Sequence, residues 1–325
     1  MKSTRTVRFG IVTLVLAVVA TAEFASAQSP TSWTRGASTF GSWPGIGSWN
    51  LSAGPEPDAN TQVLVGVNTF TMAAGMNVTT GVGNVSGSAA GIVFTNTTAK
   101  YLRGQPGNNT NANSHTLRIA SSGITLTSTS GSTGNVALGL FINNSFAPLT
   151  PVGTFTFEVN NAQTLTNNSA SYLQLGQSNW TTGVFIRPGA DSTAGTHAIT
   201  FSGTGTGTFD IYGILQDQPS DATKLRSLVV NRTDPLAGAV RLYANNTYTG
   251  PTSITAGTLL VNGTNSGGGA TTVGSGGILG GLGSLAGSIT FDSGSKFVFN
   301  STGPLTVPGT VSFTADAAAR LLVIF

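Results

Sequence analysis

Apolar residues in this chain occur in short runs separated by turns. Segments rich in Val, Ile, Leu, Phe and Thr alternate with stretches of Gly, Asn and Ser, and Pro recurs between them. Apolar residues at the helical spacing i, i+3, i+4, i+7 are rare, whereas β-branched residues dominate between the turns. The pattern therefore predicts an all-β protein.

The first two thirds of the chain contain irregularly spaced candidates for strands. We predict strands at Gln62–Val67, Gly91–Thr95, Thr116–Ala120, Ile124–Thr127, Val136–Ile142, Thr154–Val159, Tyr172–Leu175, Val184–Arg187, His197–Phe201, Thr208–Ile214 and Leu225–Val230.

The C-terminal third has a clearer period. We predict strands at Ser253–Thr255, Thr258–Val261, Thr272–Val273, Ile278–Leu279, Ser288–Phe291, Lys296–Phe299, Leu305–Val307 and Val311–Phe313. Each has one or two inward side chains, so none buries a face alone. Stacking solves this problem, because every coil of a solenoid covers the coil before it. We expect a parallel β-helix that is irregular in its N-terminal part.

The composition suits such a fold. Only 8% of the residues are charged, against about 25% in typical soluble proteins, and no charged residue occurs from Leu242 through Phe291. Disordered chains lack Val, Ile, Leu and Phe, which this chain keeps throughout. There is no Cys, so stability has to come from an inner apolar ladder, in which each buried side chain contributes roughly 1.5–3 kcal/mol.

The N-terminus has the features of a secretory leader. MKSTRTVRFG carries three positive charges, IVTLVLAVVATA is an apolar core, and Ala25-Ser26-Ala27 is the small-x-small pattern of a cleavage site. We expect a signal peptide, residues 1–27, with cleavage after Ala27. The alternative is an uncleaved membrane anchor, but the apolar core is short for a span and Glu23 interrupts it. We expect no membrane span after cleavage.

The net charge of +3 gives no reason to expect nucleic-acid binding. Lys2, Arg5 and Arg8 lie in the leader together with Glu23, so the remaining chain is nearly neutral. Nucleic acid is bound by clustered Lys and Arg.

The stretch NTYTGPTSITAGTLLVNG, Asn246–Gly263, resembles the autotransporter-associated β-strand repeat, whose general form is N-T-Y-T-G-x-T-x-I-x-x-G-T-L. The continuation TTVGSGGILGGLGSLAGSITFDSGSKF, Thr271–Phe297, is similar to the same repeat. The resemblance covers about a fifth of the chain, Arg241–Phe299. The matching residues, to which we assign structural roles, are Asn246, Tyr248, Gly250, Gly257, Leu259, Val261, Gly280 and Gly281.

This resemblance implies a right-handed parallel β-helix on an exported bacterial protein, with a repeat that assists secretion. We expect residues 28–240 to form an irregular β-rich passenger region with an N-terminal cap and residues 241–325 to form the repeat region. The chain departs from the family at AAARLLVIF, which carries no Pro-Glu-Pro sorting tail. We expect the repeat region to be truncated there.

Candidate chemistry is sparse. His197 follows Asp191 and Ser192, but a triad is defined by geometry and not by nearness in sequence, and we expect His197 to be a surface residue near a turn. Asp217 and Asp221 could form a glycosidase pair, although Pro219 between them favours a turn. With two His and no Cys, we expect no metal site. We also expect no catalytic residue and no cofactor.

Three of the four Trp residues, Trp33, Trp43 and Trp49, lie close together near the mature N-terminus. They could stack on sugar rings, or they could cover the open end of the solenoid, where strand edges need a cap. We retain the cluster as a candidate ligand-binding site.

The expected function is that of a secreted or cell-surface structural or adhesive protein whose repeat supports folding and secretion. Its partners would be cell-surface glycans or envelope components. The alternatives are an enzyme that acts on polysaccharide and a carbohydrate-binding module centred on the Trp cluster, since a fold alone does not establish activity. The sequence leaves the oligomeric state open.

Overall fold

The described part of the chain is built from β-strands. The structure, a computed structural model, describes residues 32–34, 62–65, 85–94, 100–104, 113–126, 136–140, 153–159, 161–177, 183–190, 192–233, 238–298, 303–314 and 322–324. The strands are β1 Ser32–Thr34, β2 Gln62–Val65, β3 Val85–Phe94, β4 Lys100–Gly104, β5 Asn113–Leu126, β6 Val136–Leu140, β7 Gly153–Val159, β8 Gln163–Asn167, β9 Leu173–Leu175, β10 Val184–Pro188, β11 Gly195–Gly203, β12 Phe209–Ile211, β13 Ile214–Leu215, β14 Lys224–Arg232, β15 Val240–Leu242, β16 Thr252–Val261, β17 Thr264–Asn265, β18 Thr271–Gly280, β19 Ser284–Leu285, β20 Ile289–Phe291, β21 Lys296–Val298, β22 Val311–Phe313 and β23 Leu322–Ile324.

The strands stack in three parallel columns, which we call faces A, B and C in the order that the chain visits them. Face A contains β1, β2, the second half of β3, the end of β5, β8, β11, β14, the first half of β16, the first half of β18, β20 and β22. Face B contains β4, β6, β9, β12, β15, the second halves of β16 and β18, β21 and β23. Face C contains the first halves of β3 and β5, then β7, β10, β13, β17 and β19. This arrangement is a parallel β-helix, as the sequence predicts.

Face A holds a continuous ladder of apolar side chains, one from each coil. The aligned positions are Ile124, Leu165, Phe201, Val230, Ile254, Val273 and Phe291. Each of them is at most 5% exposed. Because period-2 alternation turns every second residue inward, one register position builds the core of the whole face.

Face B repeats the design with shorter strands. Its aligned and fully buried positions are Leu173, Phe209, Val240, Leu259 and Leu279. Face C changes character along the chain: Phe157, Ile186 and Leu215 are aligned and buried, but two asparagines, Asn246 and Asn265, follow them. The interior is therefore apolar on two faces and partly amide on the third.

Coils become shorter from β8 to β20. On face A, one full turn of the solenoid takes the chain from Gln163 to Ile199. Further along, a full turn takes it only from Thr252 to Thr271, and the next from Thr271 to Ile289, so the coil length falls by half. In the short coils β16 and β18 each run across faces A and B, and β16 bends at Gly257, which has a φ of 89°. The chain around the repeat motif thus forms the tightest coils.

Several strand predictions need correction. The predicted pair Thr116–Ala120 and Ile124–Thr127 forms one strand, and so does the pair Thr272–Val273 and Ile278–Leu279. Ser253–Thr255 and Thr258–Val261 form one strand, because Gly257 bends the backbone without ending it. Thr208–Ile214 splits into β12 and β13, because the chain turns at Tyr212-Gly213 to reach face C. Leu305–Val307 is reduced to a single bridge, from Thr306 to Ser284.

Candidate functional site

Asn246 and Tyr248, two polar residues of the repeat motif, lie inside the solenoid. Asn246 is 1% exposed; its Oδ1 accepts a hydrogen bond from the Leu215 backbone N–H at 2.9 Å, and its Nδ2 donates to the Ala244 carbonyl at 3.0 Å. Its backbone pairs with that of Asn265 in the next coil. Asn246 therefore replaces strand hydrogen bonds at a corner where face C has no regular strand.

Tyr248 fills the interior beside this corner. It is fully buried, and its hydroxyl lies 2.7 Å from Thr252 Oγ1, which is also buried. Burial raises the pKa of Tyr248 to about 12, and the Thr252 contact opposes this rise. A buried hydroxyl with a partner carries little penalty, and the ring adds a large apolar surface.

The motif glycines occupy positions without room for a side chain. A Cβ on Gly250 would lie 2.2 Å from the Arg226 carbonyl oxygen, and one on Gly281 would lie 2.0 Å from that of Val261. A Cβ on Gly280 would lie 2.8 Å from the Val298 carbonyl oxygen. Leu259 and Val261 are fully buried on face B. Every motif residue to which we assigned a structural role lies in the core, at a bend or against the backbone of another coil.

Asp217 connects the motif to the preceding coil. Its Oδ1 accepts the Arg226 backbone N–H at 2.7 Å, and its Oδ2 accepts the Thr249 hydroxyl at 2.6 Å and the Thr249 backbone N–H at 3.2 Å. One carboxylate thus holds Tyr248-Thr249-Gly250 against β14. The sequence shows Asp217 only as half of a carboxylate pair, because its partner Thr249 lies 32 positions further along the chain.

Two arginines point into the solenoid, which the sequence does not lead one to expect. Arg226 is fully buried and alternates with Leu228 and Val230 on the inner face of β14. It donates to the carbonyls of His197 at 3.1 Å and Val159 at 3.3 Å. Burial lowers the pKa of Arg226 to about 9, against the opposing effect of Asp217. The guanidinium thus satisfies carbonyls at the corner between faces C and A.

Arg232 does the same at the next corner. It is fully buried, donates to the carbonyls of Ser202 at 3.1 Å and Gly207 at 2.9 Å, and stacks over the Phe209 ring at 5.0 Å. A Cβ on Gly238 would lie 2.3 Å from its Nη2. Arg232 therefore fills the wide corner that follows β11, where a long loop leaves carbonyls turned inward.

His197 and Ser192, the two described residues of the candidate triad, bond to different partners. His197 is only 5% exposed, with Nε2 2.7 Å from the Thr193 carbonyl oxygen, so the expectation of a surface position is wrong. It alternates with Ile199 and Phe201, and the same alternation turns it inward. The Ser192 hydroxyl accepts the Asn161 N–H at 3.1 Å. Asp191 lies outside the described residues.

The second acidic candidate forms the predicted turn. Asp221 accepts the Thr223 N–H at 3.0 Å and the Thr223 hydroxyl at 2.6 Å. Asp217 is engaged in the contact between coils. The described residues contain no group of three or more His, Asp or Glu side chains that could hold a metal ion.

The Trp cluster is described only in part. Trp33 lies in β1 and pairs in register with Val63, which is aligned through Ile92 with Ile124 of the face A ladder. Trp43 and Trp49 lie outside the described residues. The end-cap and ligand-binding interpretations of the cluster both stay predictions.

An interior cavity in the described part of the chain is too small for a substrate. A cavity of about 10 Å³ lies among apolar side chains that include Ile119, Phe157 and Ile186, a volume near that of a single water. No helix in the described ranges has the length and hydropathy to cross a membrane.

The fold and these contacts define a parallel β-helix with buried polar side chains at its corners, among them Asn246, Arg226 and Arg232. Comparisons with protein families, curated proteins and solved structures found no match. The resemblance of Arg241–Phe299 to the autotransporter-associated repeat therefore stays a prediction.

Proposed function

We propose that this chain is an exported β-solenoid with a structural or adhesive role at the cell surface or outside the cell, and that its repeat region supports folding and secretion. The observation that carries the proposal is the placement of the motif residues: Asn246, Tyr248, Leu259 and Val261 are all buried. A motif used for binding or catalysis would turn its polar groups outward. Asn246 and Tyr248 instead turn their polar groups inward, onto Leu215, Ala244 and Thr252.

Coil length gives the repeat region a physical advantage in folding. Ordering one residue costs roughly 1–2 kcal/mol, and loop closure costs about 0.6 kcal/mol more for each doubling of length. The coils from Thr252 to Thr271 and from Thr271 to Ile289 are half as long as the coil from Gln163 to Ile199. We infer that coil stacking begins most readily in the repeat region and that the longer coils then add to it.

Export of the full chain with its leader from a bacterial host tests the proposal. We expect a product shortened at Ala27 and recovered outside the cytoplasm, and Leu14→Arg, which places a charge in the apolar core of the leader, should keep the chain inside. Leu259→Ala should lower the exported fraction several-fold, because a buried Leu→Ala substitution costs about 2–5 kcal/mol. The matched control is Leu260→Ala, since the neighbouring leucine is only partly buried on the outer side of β16.

Two outcomes would contradict the proposal. One is an unshortened chain that remains in the cytoplasm. The other is equal export of Leu259→Ala and Leu260→Ala when denaturation shows that only the first destabilises the repeat.

A further inference from the structure

The outer side of face B carries an aligned row of polar residues. Gln174, Asp210 and Arg241 occupy one register position in three successive coils. Their strand neighbours, such as Phe209, Ile211 and Leu242, are fully buried. Alternation therefore directs this row outward, and the Arg241 side chain is 38% exposed.

Two tyrosines stack beside this row. Tyr212 and Tyr243 follow β12 and β15 and are partly exposed; their ring centroids lie 4.4 Å apart with an interplanar angle of 8°. Their backbone N–H groups donate to Leu175 and Ile211 of the preceding coils at 2.8 Å and 2.9 Å. The coil spacing of about 4.8 Å is close to the distance between the two ring centroids, so the backbone pairing aligns the rings in parallel.

The aromatic column has two rings and ends on both sides. The preceding coil has Gly176 at the aligned position, and the following coil has Asn262, whose N–H donates to the Leu242 carbonyl at 2.8 Å. Gln174 Nε2 donates to the Gly176 carbonyl at 2.6 Å. The stack is thus bordered by amide groups and by a position without a side chain.

A charged pair lies next to the rings. Arg241 Nη1 is 3.5 Å from Asp210 Oδ1, and the Thr208 hydroxyl donates to Asp210 Oδ2 at 3.1 Å. Burial raises the pKa of Asp210, while Arg241 and Thr208 oppose the rise. Burial, Tyr243 and Asp210 raise the pKa of Tyr212 to about 12. Rings, carboxylate and guanidinium therefore form one connected cluster.

We propose that Tyr212, Tyr243, Asp210 and Arg241 form a binding site for the pyranose units of a neutral polysaccharide. The C–H bonds of a sugar ring present a weakly positive surface, which matches the negative face of an aromatic ring. Sugar hydroxyls both donate and accept hydrogen bonds, so a carboxylate beside a guanidinium can engage neighbouring hydroxyls with charge-assisted bonds. Asp210 is the acceptor of this site and Arg241 is its donor.

The charge balance favours a neutral ligand over an anionic one. Asp210 cancels the charge of Arg241, and the adjoining surface from Leu242 through Phe291 contains no charged residue. Nucleic acids and acidic glycans need an excess of Lys and Arg. The chain contains only five Tyr, and only 8% of its residues are charged. Two of these tyrosines and two charged residues nevertheless lie together at this site.

Retardation of the full-length protein in gels that contain a neutral polysaccharide tests the site. The probes are cellulose derivatives, xylan, mannan and dextran, with polygalacturonate as the acidic comparison. We expect retardation by at least one neutral probe, a Kd raised about tenfold or more in Tyr212→Ala, and near wild-type binding in Tyr212→Phe, which keeps the ring. Asp210→Asn should weaken binding, because it removes the charged acceptor.

Two controls isolate the contribution of the tyrosine pair. Tyr248→Phe changes a buried tyrosine and should leave retardation unchanged, and thermal unfolding shows whether each variant remains folded. No retardation by any neutral probe, or binding by folded Tyr212→Ala equal to that of the wild type, would overturn the proposal. The proposal would also be overturned if Trp43→Ala lost binding while Tyr212→Ala kept it. That result would assign sugar binding to the Trp cluster. Retardation by polygalacturonate alone would show that the ligand is not neutral.

Discussion

At the scale of single residues, the interior contains buried polar groups with specific partners. The contribution of one of them, the Tyr248 hydroxyl, to stability can be measured through its dependence on pH. Its folded pKa of about 12 exceeds the ordinary value of 10.0 because the ring is fully buried. Below pH 10 the hydroxyl is neutral in both states and its contribution to stability is complete. As the pH rises from 10 to 12 the unfolded state loses this proton first, so the contribution falls, by up to about 2.7 kcal/mol.

Tyr248→Phe should therefore change sign with pH. Near pH 8 we expect the variant to be less stable by about 1 kcal/mol, because the Thr252 hydroxyl loses its partner. Near pH 11.5 we expect it to be the more stable protein, because it has no phenol to ionise. Arg226, whose lowered pKa of about 9 makes its burial less costly as the pH rises, contributes equally to both proteins. Urea denaturation at the two pH values measures the difference, and a constant offset would refute the argument.

At the scale of elements, the turn before face A is a column of glycines. A Cβ on Gly269 would lie 2.1 Å from the Gly250 carbonyl oxygen, one on Gly287 would lie 2.1 Å from that of Gly269, and one on Gly309 would lie 2.5 Å from that of Gly287. Each glycine thus rests on the backbone of the glycine one coil earlier. This contact lets the short coils stack at the spacing that parallel strands require.

Gly269→Ala should destabilise the protein by about 1–3 kcal/mol, as an overpacked position does, because the added carbon meets backbone that cannot rotate away. Gly303→Ala is the matched control: its Cβ would meet only the end of the Leu282 side chain, at 3.6 Å. We expect the control to be neutral or slightly stabilising. Thermal unfolding of the two variants compares them, and equal melting temperatures would contradict the column of close contacts.

Elements are also where the sequence is most informative. Alternation and turn residues locate most strands to within a few residues, because each strand contributes aligned apolar residues such as Phe201 and Ile254 to a shared ladder. Strand β8, QTLTN, escapes prediction because Leu165 is its only large apolar residue. The two-residue strands β17 and β19 are too short to show any period.

The candidate sites are harder to predict than the strands. His197 lies two positions before the buried Ile199 in β11, so strand alternation predicts that it points inward. The sequence prediction applied alternation only to apolar residues and therefore missed this. The contact of Asp217 with Thr249 and the stacking of Tyr212 on Tyr243 depend on which residues coil length brings together. Because coil length falls by half between the coil that starts at Gln163 and the coil that starts at Thr271, no fixed period reveals these partners.

At the scale of the whole molecule, each described strand pairs only with strands of the coils directly before and after it, and this gives stability a direction. Strand β14 pairs with β11 on one side and β16 on the other, whereas β22 pairs only with β20 among the described strands. Val311 and Phe313 of β22 are 41% and 53% exposed, although they align with the buried Ile289 and Phe291. Because strands pair only between neighbouring coils, β22 opens without disturbing the distant coils.

Hydrogen exchange followed by mass spectrometry should resolve this gradient. We expect the slowest exchange in β11, β14 and β16, intermediate exchange in β20 and the fastest in β22. In Gly269→Ala protection should fall most in β16 and β18, which pair on either side of the altered turn, and least in β8, three coils away. A loss of protection that is equal in all these strands would mean that the molecule opens as one cooperative unit, because only global unfolding exposes the amides of distant coils together.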